Sequence, residues 1–426
     1  MIARRSFIAA SVSAALLASI KARGTPGKLS TFRAALSVSP FTELVLKEGI
    51  SYTDGTRTAR STEELQRLFM AHGATEVYAR IGTQRRFTYG NHDHSVERGL
   101  ERARLATKLG LPFNPELGLF AQYGDITHQP EPDFSDYPSL KVPRPWHRLS
   151  LAEMLPILRD YGALIAAEIR DCGAQVNVWD LGNEVERGVA GIAVPPIVQP
   201  RGWKYRAPDA IDREIGRMSL KRYVQLSPAG RVEWLANHLW PYMGQAFAAV
   251  ADGIRSVDQH ARFSTHTSGM SAYSLDLFAR FYKSLDAAGF KVEQAGLSYY
   301  PSADTEPVDR FAAFKSMVAA ATAQLDRPVF IAEYGYPVGP FKFANNAWDH
   351  AAPGFPVSVE GQAKYMRELV AWGASTGLLS GIRPWAPDLP VPGWGEMSLF
   401  ALKNRTATAR PTIDALTQGL ALAGKA

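Results

Sequence analysis

The sequence predicts an α/β fold, a closed parallel (β/α)8 barrel with long βα loops, on three observations. Strand-forming and helical segments alternate eight times, each pair taking roughly 30–60 residues, the spacing of βα units. Two short apolar runs, QVNVWDLGNEV (175–185) and PVFIAEYGYP (328–337), each deliver a glutamate, Glu184 and Glu333, to a strand's C-terminal end. That is where a barrel keeps its chemistry. No glycine-rich phosphate turn follows the first strand, whose continuation is Phe41-Thr42-Glu43-Leu44, so an open doubly wound sheet is disfavoured.

The elements follow in order. Residues 1–22 pair a twin arginine, Arg4-Arg5, with the apolar run Ala9–Ile20, too short to span a bilayer. This stretch is expected to be a twin-arginine export signal, which implies a periplasmic or extracellular protein with residues 23–426 as one catalytic domain. Strands are expected at Phe32–Pro40, Thr75–Ile81, Phe113–Ala121 and Gln175–Gly182. Four more are expected at Ala261–Thr267, Val292–Tyr300, Pro328–Glu333 and Leu379–Trp385. Ser61-Thr-Glu-Glu64 and Ser150-Leu-Ala-Glu153 are capping-box signals that open helices; Gly73 closes the first of these, and Gly110 closes a further helix at Val96–Leu109. Further helices are expected over Arg231–Val257, Tyr273–Ala288, Val308–Leu325, Val359–Ser375 and Thr412–Leu422. Two long insertions, Gln122–Arg148 and Glu186–Gly230, read as irregular loops, a length that usually signals function.

Composition narrows the function. The 426 residues are 46% hydrophobic and 21% charged, as in an ordinary globular chain, and the net charge of +6 falls to about +3 without residues 1–22. So small a surplus does not argue for nucleic acid. Cys172 is the single cysteine, so no intrachain disulfide can form, which suits export of an already folded protein.

In a closed barrel Glu184 and Glu333 project into one mouth, and two carboxyl groups flanking a sugar bond are the minimal apparatus of glycoside hydrolysis. One must hold a proton and the other a charge, so their surroundings should differ. Asn183 offers an amide to a sugar hydroxyl, and Arg80, ending the second strand, offers Glu333 a cation. Tyr299 and Trp385 end strands six and eight and are expected to line the site. Trp146, Trp203, Trp348 and Trp394 lie in loops on the same side, as amphipathic surfaces for sugar rings. His266 ends strand five, and Asp125 closes Gln122-Tyr123-Gly124-Asp125 after strand three; both are substrate-binding candidates. His92-Asp93-His94 has the His-x-His spacing that ligates zinc at a strand end in some barrels, but here it sits in a polar turn. The group His128, Asp125, Asp133 and Asp136 matches no cation-loop spacing, so no metal and no cofactor are expected.

These residues resemble those of retaining barrel glycosidases that carry Asn-Glu on strand four and Glu on strand seven. More narrowly, the chain resembles the endo-β-1,4-galactanases of glycoside hydrolase family 53. The resemblance is carried by Tyr52-Thr-Asp-Gly55, Leu181-Gly182-Asn183-Glu184, His266, Gly296-Leu-Ser-Tyr-Tyr-Pro301, Glu333-Tyr-Gly-Tyr-Pro337 and Ser398-Leu-Phe400. It implies that Glu184 is the general acid/base and Glu333 the nucleophile of a double displacement, supported by Arg80, Asn183, His266 and Tyr299. The chain departs from the family pattern at Gln122 and Gly124, at Ser302-Ala-Asp304 where the family has a Trp-His pair, at Tyr334 for Thr, and at Ala386 for Glu. The expected partner is therefore a β-linked poly- or oligosaccharide, galactan-like or related, with no protein partner implied and a monomer expected. A carbohydrate-binding barrel without turnover and a transglycosylase using the same glutamates are the alternatives.

Overall fold

Eight parallel strands curl into one sheet in which each strand follows its predecessor in the chain, as a barrel requires. They are β1 (Arg33–Ala34), β2 (Val77–Ile81), β3 (Phe113–Leu117), β4 (Trp179–Leu181), β5 (Phe263–Thr267), β6 (Gln294–Tyr299), β7 (Val329–Tyr334) and β8 (Leu379–Pro384). The structure, a computed structural model, describes residues 32–86, 93–194, 210–343 and 346–425. The expected export signal, His92 and Trp203 lie outside the described residues. β1 pairs with β8 through Arg33↔Gly381 and Ala34↔Ile382. On its other side the Thr75 N–H donates to the Ala34 carbonyl (3.0 Å) and the Tyr78 N–H to Ser37 Oγ (3.0 Å), which closes the ring against β2.

Eight helices follow the strands: α1 (Thr62–Ala71), α2 (Val96–Leu109), α3 (Leu151–Asp171), α4 (Trp240–Arg255), α5 (Leu275–Ala287), α6 (Arg310–Leu325), α7 (Val359–Thr376) and α8 (Ala415–Ala423). The capping signals read from sequence act locally: Ser61 accepts from the Glu64 N–H, and Ser150 and Glu153 form a reciprocal capping box. One expectation fails. The helix expected over Arg231–Val257 is two helices, Pro228–His238 and α4, broken at Leu239. Pro241 lacks the N–H that a continuous helix needs there, and its ring would crowd the preceding turn. The second insertion is also less irregular than expected, with helices Arg213–Arg217 and Leu220–Gln225 capped by Asp212 and Ser219.

The β1–α1 and β8–α8 connections pair with each other. Ser51–Thr53 runs parallel to Thr406–Ala409, which turns back on Phe400–Lys403. The Tyr52 hydroxyl donates to the Asp388 carbonyl at 2.6 Å, fastening the two loops.

Apolar residues of alternate strand positions, such as Ile81, Phe113 and Ile331, face the helices, whereas the barrel interior is largely polar and charged. Arg33 grips Glu76 through two 2.7 Å bonds and also donates to Asn114 Oδ1 (2.9 Å). Arg383 spans Asn114 (2.9 Å), Asp180 (3.1 Å) and Glu116 (3.0 Å), with its guanidinium 3.8 Å over the Tyr78 ring. Arg80 pairs with Glu116 on one side and Glu333 on the other. All of these side chains are at least nine-tenths buried.

Desolvating so many charges is costly, and their mutual bonding offsets that cost only while every member is present. Arg383→Met, which leaves Glu116 and Asp180 short of a cation, should therefore cost about 3–5 kcal/mol in denaturant unfolding. Arg86→Met, which removes a pair whose arginine side chain is 80% exposed, should cost under about 1 kcal/mol in the same measurement. Equal losses for the two variants would show that the interior network carries no special weight.

Candidate active site

β4 ends at Leu181, and the chain turns at once through Gly182, Asn183 and Glu184. Gly182 has φ +79°, and a Cβ there would lie 2.3 Å from Val185 Cγ1, so only glycine fits. Glu184 itself is left-handed at φ 49°, ψ 55°, a conformation costing a side-chain-bearing residue about 1–2 kcal/mol. This turn lifts its carboxyl into a cleft of about 1030 Å³ at the strand C-termini, where Glu333 also opens.

Glu333 reaches the same cleft by a different device. In β7, Phe330 lies under the Arg33 guanidinium (4.3 Å) and faces the barrel interior, so strict alternation would send Glu333 to the helix side. The β6–β7 register slips by one residue, however: Leu297 pairs with Ile331 and Ser298 with Glu333. The extra residue is a bulge that re-aims Glu333 into the mouth. There Arg80 bonds Oε1 and the Tyr300 hydroxyl donates to Oε2 at 2.8 Å. Burial, followed by the charges of Glu333 and Glu184, holds the Tyr300 phenol well above its ordinary range, so it stays a donor. Trp385 covers the other face of Arg80, 4.2 Å from its guanidinium.

Glu184 has the opposite surroundings. The Ile126 N–H approaches Oε2 at 3.4 Å, and among the described residues no cation forms an ion pair with the carboxyl. Burial, then the negative charges of Glu333, Asp125 and Glu186, hold its pKa well above the ordinary glutamate value. One carboxylate is thus clamped by a cation and the other is pushed toward its protonated form.

Asn183 is oriented at both ends. Its Nδ2 donates to the Gly124 carbonyl (2.8 Å), and its Oδ1 faces His266 Nε2 (2.9 Å). Burial, with Arg383 and Arg80 nearby, keeps His266 neutral, so the imidazole carries its proton on Nε2 and donates it to Asn183. Gly296 makes this possible, since a Cβ there would lie 2.7 Å from His266 Cβ.

The expected site residues therefore divide. Glu184, Glu333, Asn183, Asp125 and Trp385 line the cleft. Arg80 and His266 stand behind it and act through Glu333 and Asn183. Tyr299 does not belong to it: the ring stacks on Phe314 of α6 at 3.8 Å and its hydroxyl bonds Tyr365 of α7 at 2.6 Å. Side chains alternate along β6, so its neighbour Tyr300 faces the mouth instead. The small and polar run Gly296, Ser298 was the signal that fixes this parity. Trp348 and Trp394, in loops on the mouth side, line the cleft, but Trp146, within the first insertion, is buried with its Nε1 donating to the Ala190 carbonyl at 2.7 Å. Tyr123 and His94, stacked 5.7 Å apart, line the cleft; the sequence points to their neighbour Asp125 and places His94 in a polar loop.

Aromatic rings continue outward from the Glu333 side. Trp348 lies 5.1 Å from Tyr300, and Phe343, on a hairpin of the β7–α7 loop, lies 4.9 Å from Trp348 and is 46% exposed. The acidic loop after β3 does not converge. Asp133 accepts from Gln84 Nε2 (2.9 Å), Asp136 from the Arg85 N–H (3.2 Å) and Asp125 from the Thr127 N–H (2.8 Å). Among the described residues no group of three or more His, Cys, Asp or Glu side chains is arranged to hold a metal ion.

Comparison with known proteins agrees with this architecture. The sequence profile of glycosyl hydrolase family 53 matches residues 47–393. A Niallia circulans protein described as an uncharacterized protein in the bgaB 5′ region is 23% identical over 283 residues, 62% of this chain; the match spans 66% of that protein, just under two thirds of its length. Among solved structures, the Ignisphaera aggregans GH53 catalytic domain superposes with a TM-score of 0.64 at 16% identity, covering 93% of this chain and 98% of that one. A fungal β-1,4-galactanase gives 0.63 at 14% identity, covering 90% and 99%. A xylanase A from P. fluorescens subsp. cellulosa, in complex with xylopentaose, gives 0.53 at 14% identity, covering 92% and 98%. With the family profile covering most of its length, the chain belongs to glycosyl hydrolase family 53.

Proposed function

We propose that this glycoside hydrolase cleaves β-1,4-linked galactan or a related β-linked polysaccharide by a retaining double displacement. In this reading Glu184 is the general acid/base and Glu333 the nucleophile. The observation that carries it is the unequal setting of two carboxyl groups in one cleft, Glu333 held by Arg80 and Tyr300 and Glu184 raised by burial and by Glu333 itself.

The chemistry follows from that asymmetry. Glu333 attacks the anomeric carbon while Glu184 passes its proton to the glycosidic oxygen, and the leaving sugar departs with that proton. Glu184, now ionised, takes a proton from water, whose oxygen attacks the glycosyl–Glu333 ester and frees the sugar with its original configuration. The Asn183 amide, fixed by His266 and Gly124, keeps one N–H for a hydroxyl of the bound sugar. Tyr300, Trp348 and Phe343 offer faces to further rings along the chain. The substrate assignment is supported by the family and by the fungal galactanase fold. Export as a folded protein, with the twin arginine of residues 4–5 as its signal, accords with the absence of disulfides.

Three outcomes are expected. Glu184→Gln and Glu333→Gln should each lose at least about 10²-fold in kcat on galactan. With azide and a dinitrophenyl β-glycoside, Glu333→Ala should yield the α-glycosyl azide and Glu184→Ala the β-glycosyl azide. Exchange of these two products would reverse the roles.

Stability gives a second check. A glutamate whose folded pKa lies above its unfolded value weakens the fold once pH exceeds the unfolded value, and has no such effect when both states are protonated. Glu184→Gln should therefore raise the melting temperature at pH 7, by about 1 °C for each kcal/mol of relieved burial and repulsion cost, and change it little at pH 4. An equal rise at both pH values would mean that the carboxyl is not held protonated. For export, Arg4→Lys with Arg5→Lys should leave the protein in the cytosol of a bacterial host; unchanged fractionation would remove that part of the proposal.

A further inference from the structure

Glu186 is a buried acid that the double displacement does not use. It sits two residues beyond Glu184, in the single turn Val185–Arg187, and is 2% exposed. Among the described residues no cation forms an ion pair with it. Its carboxyl is bonded by one residue of the neighbouring strand end: the Ser268 N–H donates to Oε2 at 2.8 Å, and the Ser268 hydroxyl bonds Oε1. Its carbonyl accepts from Trp240 Nε1 at 2.9 Å, at the start of α4.

The turn these contacts hold cannot hold itself. It begins at the left-handed Glu184 and ends at Gly188 with φ 151°, and between them lies one turn of 3-10 helix. Such a conformation persists only where its surroundings over-determine it. Ser268 is anchored in turn, since Ser271 Oγ donates to its carbonyl at 3.0 Å and pairs with Thr267 Oγ1 at 2.6 Å.

We propose that Glu186 is a positioning residue for the acid/base: with Ser268 it clasps the Glu184 turn to the end of β5 and so sets where the Glu184 carboxyl meets the glycosidic oxygen. The inference rests on the reading of Glu184 as the acid/base. A carboxylate suits the clasp better than an amide, because both of its oxygens accept from Ser268, while a glutamine would turn one N–H toward a hydroxyl that already accepts from the Met270 N–H (3.3 Å). Burial raises the Glu186 pKa against the opposing Ser268 bonds and Arg187 charge. When ionised, this acid adds its charge to those of Glu333 from β7 and Asp125 from the β3–α3 loop, which face Glu184 alongside the neutral phenols of Tyr123 and Tyr300.

A displaced general acid slows the first step, formation of the glycosyl-enzyme, only where the leaving group needs a proton, which makes the leaving-group dependence of kcat/KM the test. Glu186→Gln and Ser268→Ala should each lose about 10-fold or more in kcat/KM on galactan-derived oligosaccharides and much less in kcat/KM on a dinitrophenyl β-glycoside, whose leaving group departs unprotonated. Glu186→Gln should also move the alkaline limb of the pH profile toward lower pH, which loss of packing alone would not do. Glu184→Gln, measured beside them, separates the two levels. If it shows the leaving-group selectivity and both clasp variants lose rate equally on the two substrates, the clasp is overturned and the acid/base assignment stands. If Glu184→Gln also lacks the selectivity, the assignment falls and the clasp with it.

Discussion

The site depends on one guanidinium. Arg80, wholly inside the barrel, divides its donors between Glu116 below and Glu333 above, so Glu333 is the uppermost member of a charge network that descends through Arg383 to Asp180 and Asn114. Arginine is the side chain that can do this, because its planar fork presents several donors in fixed directions and it does not lose its charge on burial. A lysine could satisfy one carboxylate well and would leave the other exposed to the cost of an unpaired buried charge. The barrel interior, which in this fold is usually filled with branched apolar side chains, is here given over to aiming a single carboxylate.

That choice explains the electrostatics at the cleft. A carboxylate fixed by Arg80 remains a source of negative potential, and Glu184, with no cation beside it among the described residues, meets that potential together with burial. Both effects favour its protonated form. The difference between the two groups is thus a consequence of giving the available cation to one of them. The accompanying costs, a left-handed glutamate and a buried acid beside it, fall at the end of β4, where the chain must leave the sheet abruptly to bring the carboxyl into the mouth.

How much of this could be read from the sequence follows from the same physics. The eight strands were legible because apolar alternate positions face the helices in nearly every one, and Asn183-Glu184 and Glu333 mark the two ends that matter. Helix starts were legible where a serine cap lies in sequence beside the turn it serves, as at Ser61 and Ser150. Tyr299 was misplaced because a strand end offers two adjacent tyrosines and only the parity of the strand decides between them. Glu333 reaches the cleft against parity, through a bulge set by the pairing of β6 with β7, which no local pattern encodes. Glu116 and Arg383 were passed over because a charge within a strand gains its meaning from partners on other strands, hundreds of residues away in the case of Arg383 and Glu116.

The departures from the family pattern can now be weighed by where they stand. Tyr334, in place of the family's threonine, is 2% exposed and lies 6.4 Å from Tyr365 of α7 in the helix layer, so it cannot touch a sugar. Gly124 contributes its carbonyl to Asn183, and a Cβ there would lie 2.8 Å from Phe120 Cδ1, so a larger residue requires that ring to shift; Ala386 is 2% exposed in the turn after Trp385. Ser302 is fully buried. Ala303 and Asp304 are different: both line the cleft, where the family carries larger side chains, beside Tyr300. Trp348 approaches Tyr300 from the β7–α7 loop on that side, supplying an aromatic surface from a different element. Because Glu333 is anchored from the barrel interior by Arg80 and this wall is built from loops, the wall can change while that carboxyl stays in place. Discrimination among sugars should therefore be concentrated at Ala303, Asp304 and Trp348, where a gained or lost hydrogen bond to a hydroxyl weighs most.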